Sequence, residues 1–241
     1  SAIAHSVIKL FKNIYKKKTG EIKTPTKIVE EAPEKIQEVN VEDLQTQLVS
    51  VKLDASATAI EKIERNINRK GYLEKLLQSP KFLQSLMNAC DACESLVIAQ
   101  KIIKIFTAVL KIQKNLNQQC VKKVFGLFVK LGSTEMTEIL DFINEFQDSE
   151  LAKIKLSSNP MNRLASFLKH SDVSLRVSAT NTLVKIIRNQ SYNNIDCLTL
   201  NAKEIISNLV SSVSSMPDLL LASLIAVNLL LPHKELQKVF F

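Results

Sequence analysis

The chain has 241 residues, 46% of them hydrophobic and 23% charged, with a net charge of +8. That is apolar material enough for a sizeable core in one domain or two. The charge is a mild bias towards acidic partners and falls short of a nucleic-acid signature.

Only 4 Gly and 6 Pro occur, which fits a mostly helical chain. No run alternates apolar and polar residues as a half-buried strand would. No apolar stretch reaches the roughly 18 residues of a membrane span, and no signal peptide is visible. The expected compartment is the cytoplasm, with the nucleus compatible. The first residue is Ser1 rather than Met, as expected of an excised segment whose first residue is foreign to it.

Residues 1–40 read as a basic amphipathic helix followed by a linker, and residues 41–241 as a helical domain. Ile3, Val7, Leu10, Phe11 and Ile14 follow helical spacing over Ile3–Lys18. Lys9, Lys12, Lys16, Lys17 and Lys18 fall mostly on the other side. Such a helix can dock on its own domain, serve a partner or a calmodulin-like target, or lie on a membrane surface. Glu21–Asn40 carries Pro25 and Pro33 among Lys, Glu and Thr, the composition of a linker.

From Val41 onward the spacing predicts helix after helix. Val41–Leu53 comes first. Asp54 is then expected to cap a helix that turns Ile60, Ile63 and Ile67 inward and ends at Gly71. After the short Tyr72–Gln78, Pro80 opens Lys81–Asn88, which points Phe82, Leu83, Leu86 and Met87 to the core. Glu94–Lys114 is long, Val121–Leu131 follows, and Thr134–Phe146 carries Met136, Ile139, Leu140 and Ile143 inward. Leu151–Leu156 is a spacer, and Asn201–Val213 and Pro217–Leu231 complete the series.

The central stretch, NPMNRLASFLKHSDVSLRVSATNTLVKIIRN from Asn159 to Asn189, sets the pattern. Pro160 suits a first helical position. Leu164, Phe167 and Leu168 share a face, His170-Ser171-Asp172 breaks the run, and a longer helix restarts at Val173 with Arg176 and Ala179 at its head. FLQSLMNACDACESLVIAQKIIKIF from Phe82 and NLVSSVSSMPDLLLASLIAVNLLL from Asn208 lie over it, and Val121–Phe146 fits as a further unit. The equivalent Leu83 and Leu164 are 81 residues apart, and Leu164 and Leu209 are 45. Short helix, polar turn and long helix at a period near 40 resemble the armadillo/HEAT-type helical repeat superfamily over about residues 55–231.

That resemblance implies an all-α, right-handed superhelical solenoid of about four repeats. It implies a non-enzymatic protein-interaction scaffold or regulatory adaptor, with GTPase-, kinase- or chaperone-regulatory types compatible. The third helix of each armadillo repeat lines the concave face, which here would mean Glu94–Lys114, Thr134–Phe146, Val173–Arg188 and Pro217–Leu231. Helical spacing then aligns Lys101, Lys104 and Lys111 on the first. It aligns Glu135, Glu138, Asp141 and Glu145 on the second, and Ser174, Ser178, Asn181, Lys185 and Arg188 on the third. These stripes read either as solvated faces with inter-repeat ion pairs or as a groove for a mixed-charge or acidic protein segment. Alternating sign disfavours nucleic acid there, because each phosphate repels nearby carboxylates. The other reading is a nucleic-acid or anionic-membrane adaptor acting through the basic N-terminal helix.

Chemistry-bearing motifs are sparse. Cys90 and Cys93 have metal-ligand spacing, but no second Cys or His pair follows, and zinc needs about four ligands. With Cys120 and Cys197 they read as reduced thiols. His5, His170 and His233 are scattered, no Gly-rich phosphate loop occurs, and Ser211–Ser215 reads as a loop or a phosphorylation target. No catalytic residue, metal or cofactor is expected. The absence of Trp sets the chain apart from the Trp-Asn arrays of importin-like armadillo proteins. Leu219–Leu231 is apolar nearly all round. A dimer contact at the solenoid end, the N-terminal helix or a further repeat is expected to cover it.

Overall fold

The computed structural model describes residues 40–48, 53–131, 135–154 and 158–189. The expected N-terminal helix with Ile3, Val7, Leu10, Phe11 and Ile14, the linker, and everything from residue 190 onward lie outside them. The protein is all-α: the described residues form helices and turns, with no strand among them.

Local chemistry places the helix ends. Helix α1 (Val41–Leu48) starts where the Asn40 side chain accepts the Asp43 amide at 3.1 Å, a side-chain N-cap. Helix α2 spans Leu53–Asn66. Asp54 therefore sits in its first turn rather than capping it. Gly71 does not close α2; it lies five residues beyond Asn66, at φ 75°, and opens α3 (Tyr72–Leu77). A left-handed backbone there is what glycine tolerates best. Helix α4 (Lys81–Ala92) follows Pro80 and runs one turn past the expected Asn88. Helix α5 (Leu96–Gln113) ends at Lys114, φ 61°, whose amide reaches back to the Leu110 carbonyl.

Asn117 caps α6 (Gln118–Leu131) through the Cys120 amide at 2.8 Å. Helix α7 (Glu138–Glu145) begins four residues later than the spacing suggested, so Glu135 lies in the turn before it. Met136 is still buried, from that turn. The short α8 (Asp148–Leu151) precedes α9 (Ser158–Ser166), which continues as a 3-10 turn over Phe167–Lys169. Pro160 is thus the third residue of α9 rather than the first, still within the turn whose amides have no intrahelical acceptor. Asp172 receives the Ser174 amide at 2.8 Å and starts α10 (Val173–Arg188).

Packing sorts these helices into two rows. In the first, α1 lies against α4, α4 against α6 and α6 against α9. In the second, α2 lies against α5, α5 against α7 and α7 against α10. The rows meet where α1 packs on α2, α4 on α5, α5 on α6, and α9 with its 3-10 turn on α10. Phe82, Phe106, Phe128, Phe142 and Phe167 are fully buried, each contributing about 1.5–3 kcal/mol by leaving water. Phe125 of α6 meets Phe142 of α7 edge-on at 6.3 Å, joining the rows there as well. Among the described residues no helix is long and apolar enough to cross a membrane.

Candidate functional site

The stripes read from helical spacing meet in the second row. Lys101 of α5 reaches Glu61 of α2 at 2.6 Å. One turn on, Lys104 stands between Glu64 of α2 at 4.0 Å and Glu138 of α7 at 3.7 Å. Lys111 faces Glu145 at 3.8 Å. Gln100 donates to the Glu135 carbonyl at 2.8 Å.

The pairing has a constant register. Both α2–α5 pairs join residues 40 apart in sequence, and both α5–α7 pairs join residues 34 apart. From α7 to α10 the bonded residues are 38, 39 and 41 apart. Offsets that hold along a helix mean that neighbouring helices of the row run in the same direction.

At α10 the chemistry changes from ion pairs to helix capping. Lys185 donates to the Asn144 and Phe146 carbonyls at 2.6 and 2.5 Å, at the C-terminal end of α7. Those carbonyls have no intrahelical donor, and a cation suits the negative end of the helix. Burial lowers the Lys185 pKa, while the charges of Asp148 and Glu145 oppose the shift. Beside it Asn144 donates to the Thr182 hydroxyl at 2.9 Å, and Thr182 donates to the Ser178 carbonyl.

The first row repeats the device. Lys130 of α6 donates to the Cys93 carbonyl at 2.9 Å, past the end of α4. Lys123 holds both oxygens of Asp91 at 2.6 Å.

The candidate groove residues therefore divide. Lys101, Lys104, Lys111, Glu138 and Glu145 are engaged with one another or with α2, and Lys185 with backbone. Ser178 is half-buried, Glu135 is exposed in its turn, and Asp141, Asn181 and Arg188 are exposed. Exposed pairs at the separations of Lys104 and Lys111 contribute about 0–1 kcal/mol each, so they align the row more than they stabilise it. Glu61 and Glu64 are the residues that sequence reasoning missed. The signal was there: both stand 40 positions before a lysine of the α5 stripe.

Cys90, Cys93 and Cys120 are free thiols in the core. Burial, with the nearby Asp91 charge, pushes Cys90 up to about 12. Cys93 donates to the Ser95 carbonyl at 3.3 Å. Among the described residues no group of three or more His, Cys, Asp or Glu could hold a metal ion. His170 sits half-buried in its turn, its Nδ1 accepting the Asp172 amide at 3.0 Å and its carbonyl accepting Arg176 at 2.7 Å. Compared with family models, curated proteins and solved structures, the chain finds no significant match.

Proposed function

We propose that the chain is a non-enzymatic protein-interaction scaffold, an armadillo/HEAT-like solenoid of about four repeats, and that the solvent-facing side of its second row, the concave face in such a solenoid, takes a protein segment of mixed charge. The observation that carries this reading is the offset that holds along each pair of successive helices in that row. Equivalent helices stacked in one direction every 34 to 41 residues are the expected arrangement for helical repeats, which bury their apolar faces only by stacking. Charge columns of alternating sign across α2, α5 and α7 support a protein ligand over a polyanion. A nucleic acid would meet carboxylates at Glu61, Glu64, Glu138, Asp141 and Glu145.

The exposed Asp141, Asn181 and Arg188 are the groups to test. Lys104 and Lys111 are unsuitable, since reversing them sets like charges against Glu138 and Glu145 and disturbs the stack itself. Affinity purification with mass spectrometry is run on the full chain beside the double variant Asp141→Lys/Arg188→Glu. A partner retained by the parent and lost by an equally stable variant supports the reading. Generic RNA or DNA bound at submicromolar concentration in physiological salt overturns it.

A further inference from the structure

The first row carries a different surface, independent of the face proposed above. Between α4 and α6 lies a cleft of about 410 Å³ whose rim is basic: Lys122, Lys123 and Lys130 stand there with the single carboxylate of Asp91. Its floor includes Leu127 and Gly126. Gly126 sits in the interior of α6 and is exposed. Beyond its own helix backbone and chain neighbours, a methyl group built on it meets no atom of the described residues within 4 Å. Glycine in a helix interior is destabilising relative to alanine, and nothing among the described residues requires it there. A missing side chain at an exposed position leaves room for something from outside to approach the backbone closely.

We propose that this cleft docks an acidic amphipathic helix of a partner protein, with one apolar side chain seated over Gly126. Lys122 and Lys130 lie four residues to either side of Gly126, about 6 Å along the axis each way. The matching ligand carries an acidic residue roughly one turn before and one turn after its apolar anchor, the helix-in-groove mode of recognition. Lys122 is exposed and open to a ligand from outside. Lys123 is held by Asp91, and Lys130 retains a donor beyond its two carbonyl contacts, since an ammonium has three. The carboxylate in the rim and the short basic run favour a protein helix over a phosphate polymer or a lipid surface, either of which rewards a longer unbroken basic track.

The test is a displayed library of 15-residue peptides selected on the full-length chain. Parallel selections use Gly126→Gln, which fills the open space with a good helix former, and Lys122→Glu. Circular dichroism and melting curves establish that both variants are folded, and Gly126→Gln is expected to melt no lower than the parent. The expected result is enrichment of acidic–apolar–acidic peptides at about four-residue spacing. Synthetic copies should bind at least tenfold more weakly to either variant. No such enrichment, or peptides that bind the variants equally well, overturns the proposal. So does tighter binding of RNA or of phosphatidylserine vesicles that is lost in Lys122→Glu.

Discussion

The two rows of helices combine apolar packing and ion pairs differently, though each has both: Lys123 holds Asp91 in the first, and Phe106 and Phe142 are buried in the second. In the first, α6 reaches the α9 segment through Phe128 and Phe167, stacked at 6.3 Å and 10° between planes. In the second, α5 is tied to both neighbours by lysine–glutamate pairs in fixed register. Apolar packing is strong and tolerates small slips, because it is non-directional. Ion pairs between half-exposed side chains are weak, yet a slip of α5 by one or two residues would turn each lysine off its partner. The contrast is between buried apolar contacts, which carry most of the stability, and ion pairs, which mark the register. Each row also sets a lysine on the carbonyls at the end of the preceding helix, Lys130 in one and Lys185 in the other.

The largest expected effect tests the apolar side. Phe128→Ala should lower the unfolding free energy by about 3–5 kcal/mol, measured by urea denaturation. Lys104→Met in the second row should change it by no more than about 1 kcal/mol. If the two effects were equal, the ion pairs would carry as much stability as buried aromatic packing.

The capping lysines come next. Lys185→Met leaves the partly buried end of α7 short of a donor and should cost about 1–3 kcal/mol. Lys130 is exposed, so Lys130→Met should cost less. The sites lie in different rows and share no partner, so the double variant should be additive within about 0.5 kcal/mol. Lys185 also gives a pH signature. Its folded-state pKa lies below the ordinary 10.5, chiefly through burial. Below the folded value the amine is charged in both states, and folding bears the full desolvation penalty. Stability should therefore rise as pH climbs through the folded value towards 10.5. Lys185→Met should abolish that rise in melting temperature, and an unchanged alkaline limb would remove Lys185 as its source.

Much of this was legible in the residues. Apolar positions every three to four residues located the helices, and the lysine stripe of α5 and the acidic stripe of α7 were both visible on their own helices. What spacing on one helix does not contain is the offset to the next, so the pairing of Lys101 with Glu61 appeared only with the fold. The start of α7 was placed too early because Met136 is buried from a turn, where an apolar residue mimics helical periodicity. Lys185 read as part of an exposed stripe. A lysine stem can lie along apolar surface while its ammonium finds carbonyls, and no pattern of residue types distinguishes that from a solvated side chain. Gly126 drew no notice, because its meaning depends on the empty space beside it.

A gain of stability would sharpen the comparison from the other direction. Gly126→Ala adds a methyl where, beyond its own helix backbone and chain neighbours, no described residue comes within 4 Å, and should raise stability by about 0.5–1 kcal/mol, read as a higher urea midpoint at unchanged slope. A loss would mean that the first row is less open at α6 than its geometry indicates.

The smallest effect concerns the register pair itself. The hydrogen bond from Lys101, then its charge, holds the Glu61 carboxyl below its ordinary 4.5; Arg65 adds slightly and desolvation opposes. A depressed carboxylate pKa contributes stability that is present above 4.5 and lost as pH falls through the folded value. Glu61→Gln should therefore lower stability slightly at neutral pH, by an amount that vanishes in acid, and so flatten the acid limb of the stability profile. The direct measurement is the Glu61 carboxyl carbon resonance followed through an acid titration. In the parent protein it should titrate below the ordinary value, and in Lys101→Met it should move back up towards it. High salt should shrink the difference, because the pair is partly exposed and screened. If Glu61 titrates at its ordinary value in both proteins, the 2.6 Å contact does not persist in solution. The register of α5 against α2 would then be set by Ile60, Ile63, Ile102 and their apolar neighbours alone.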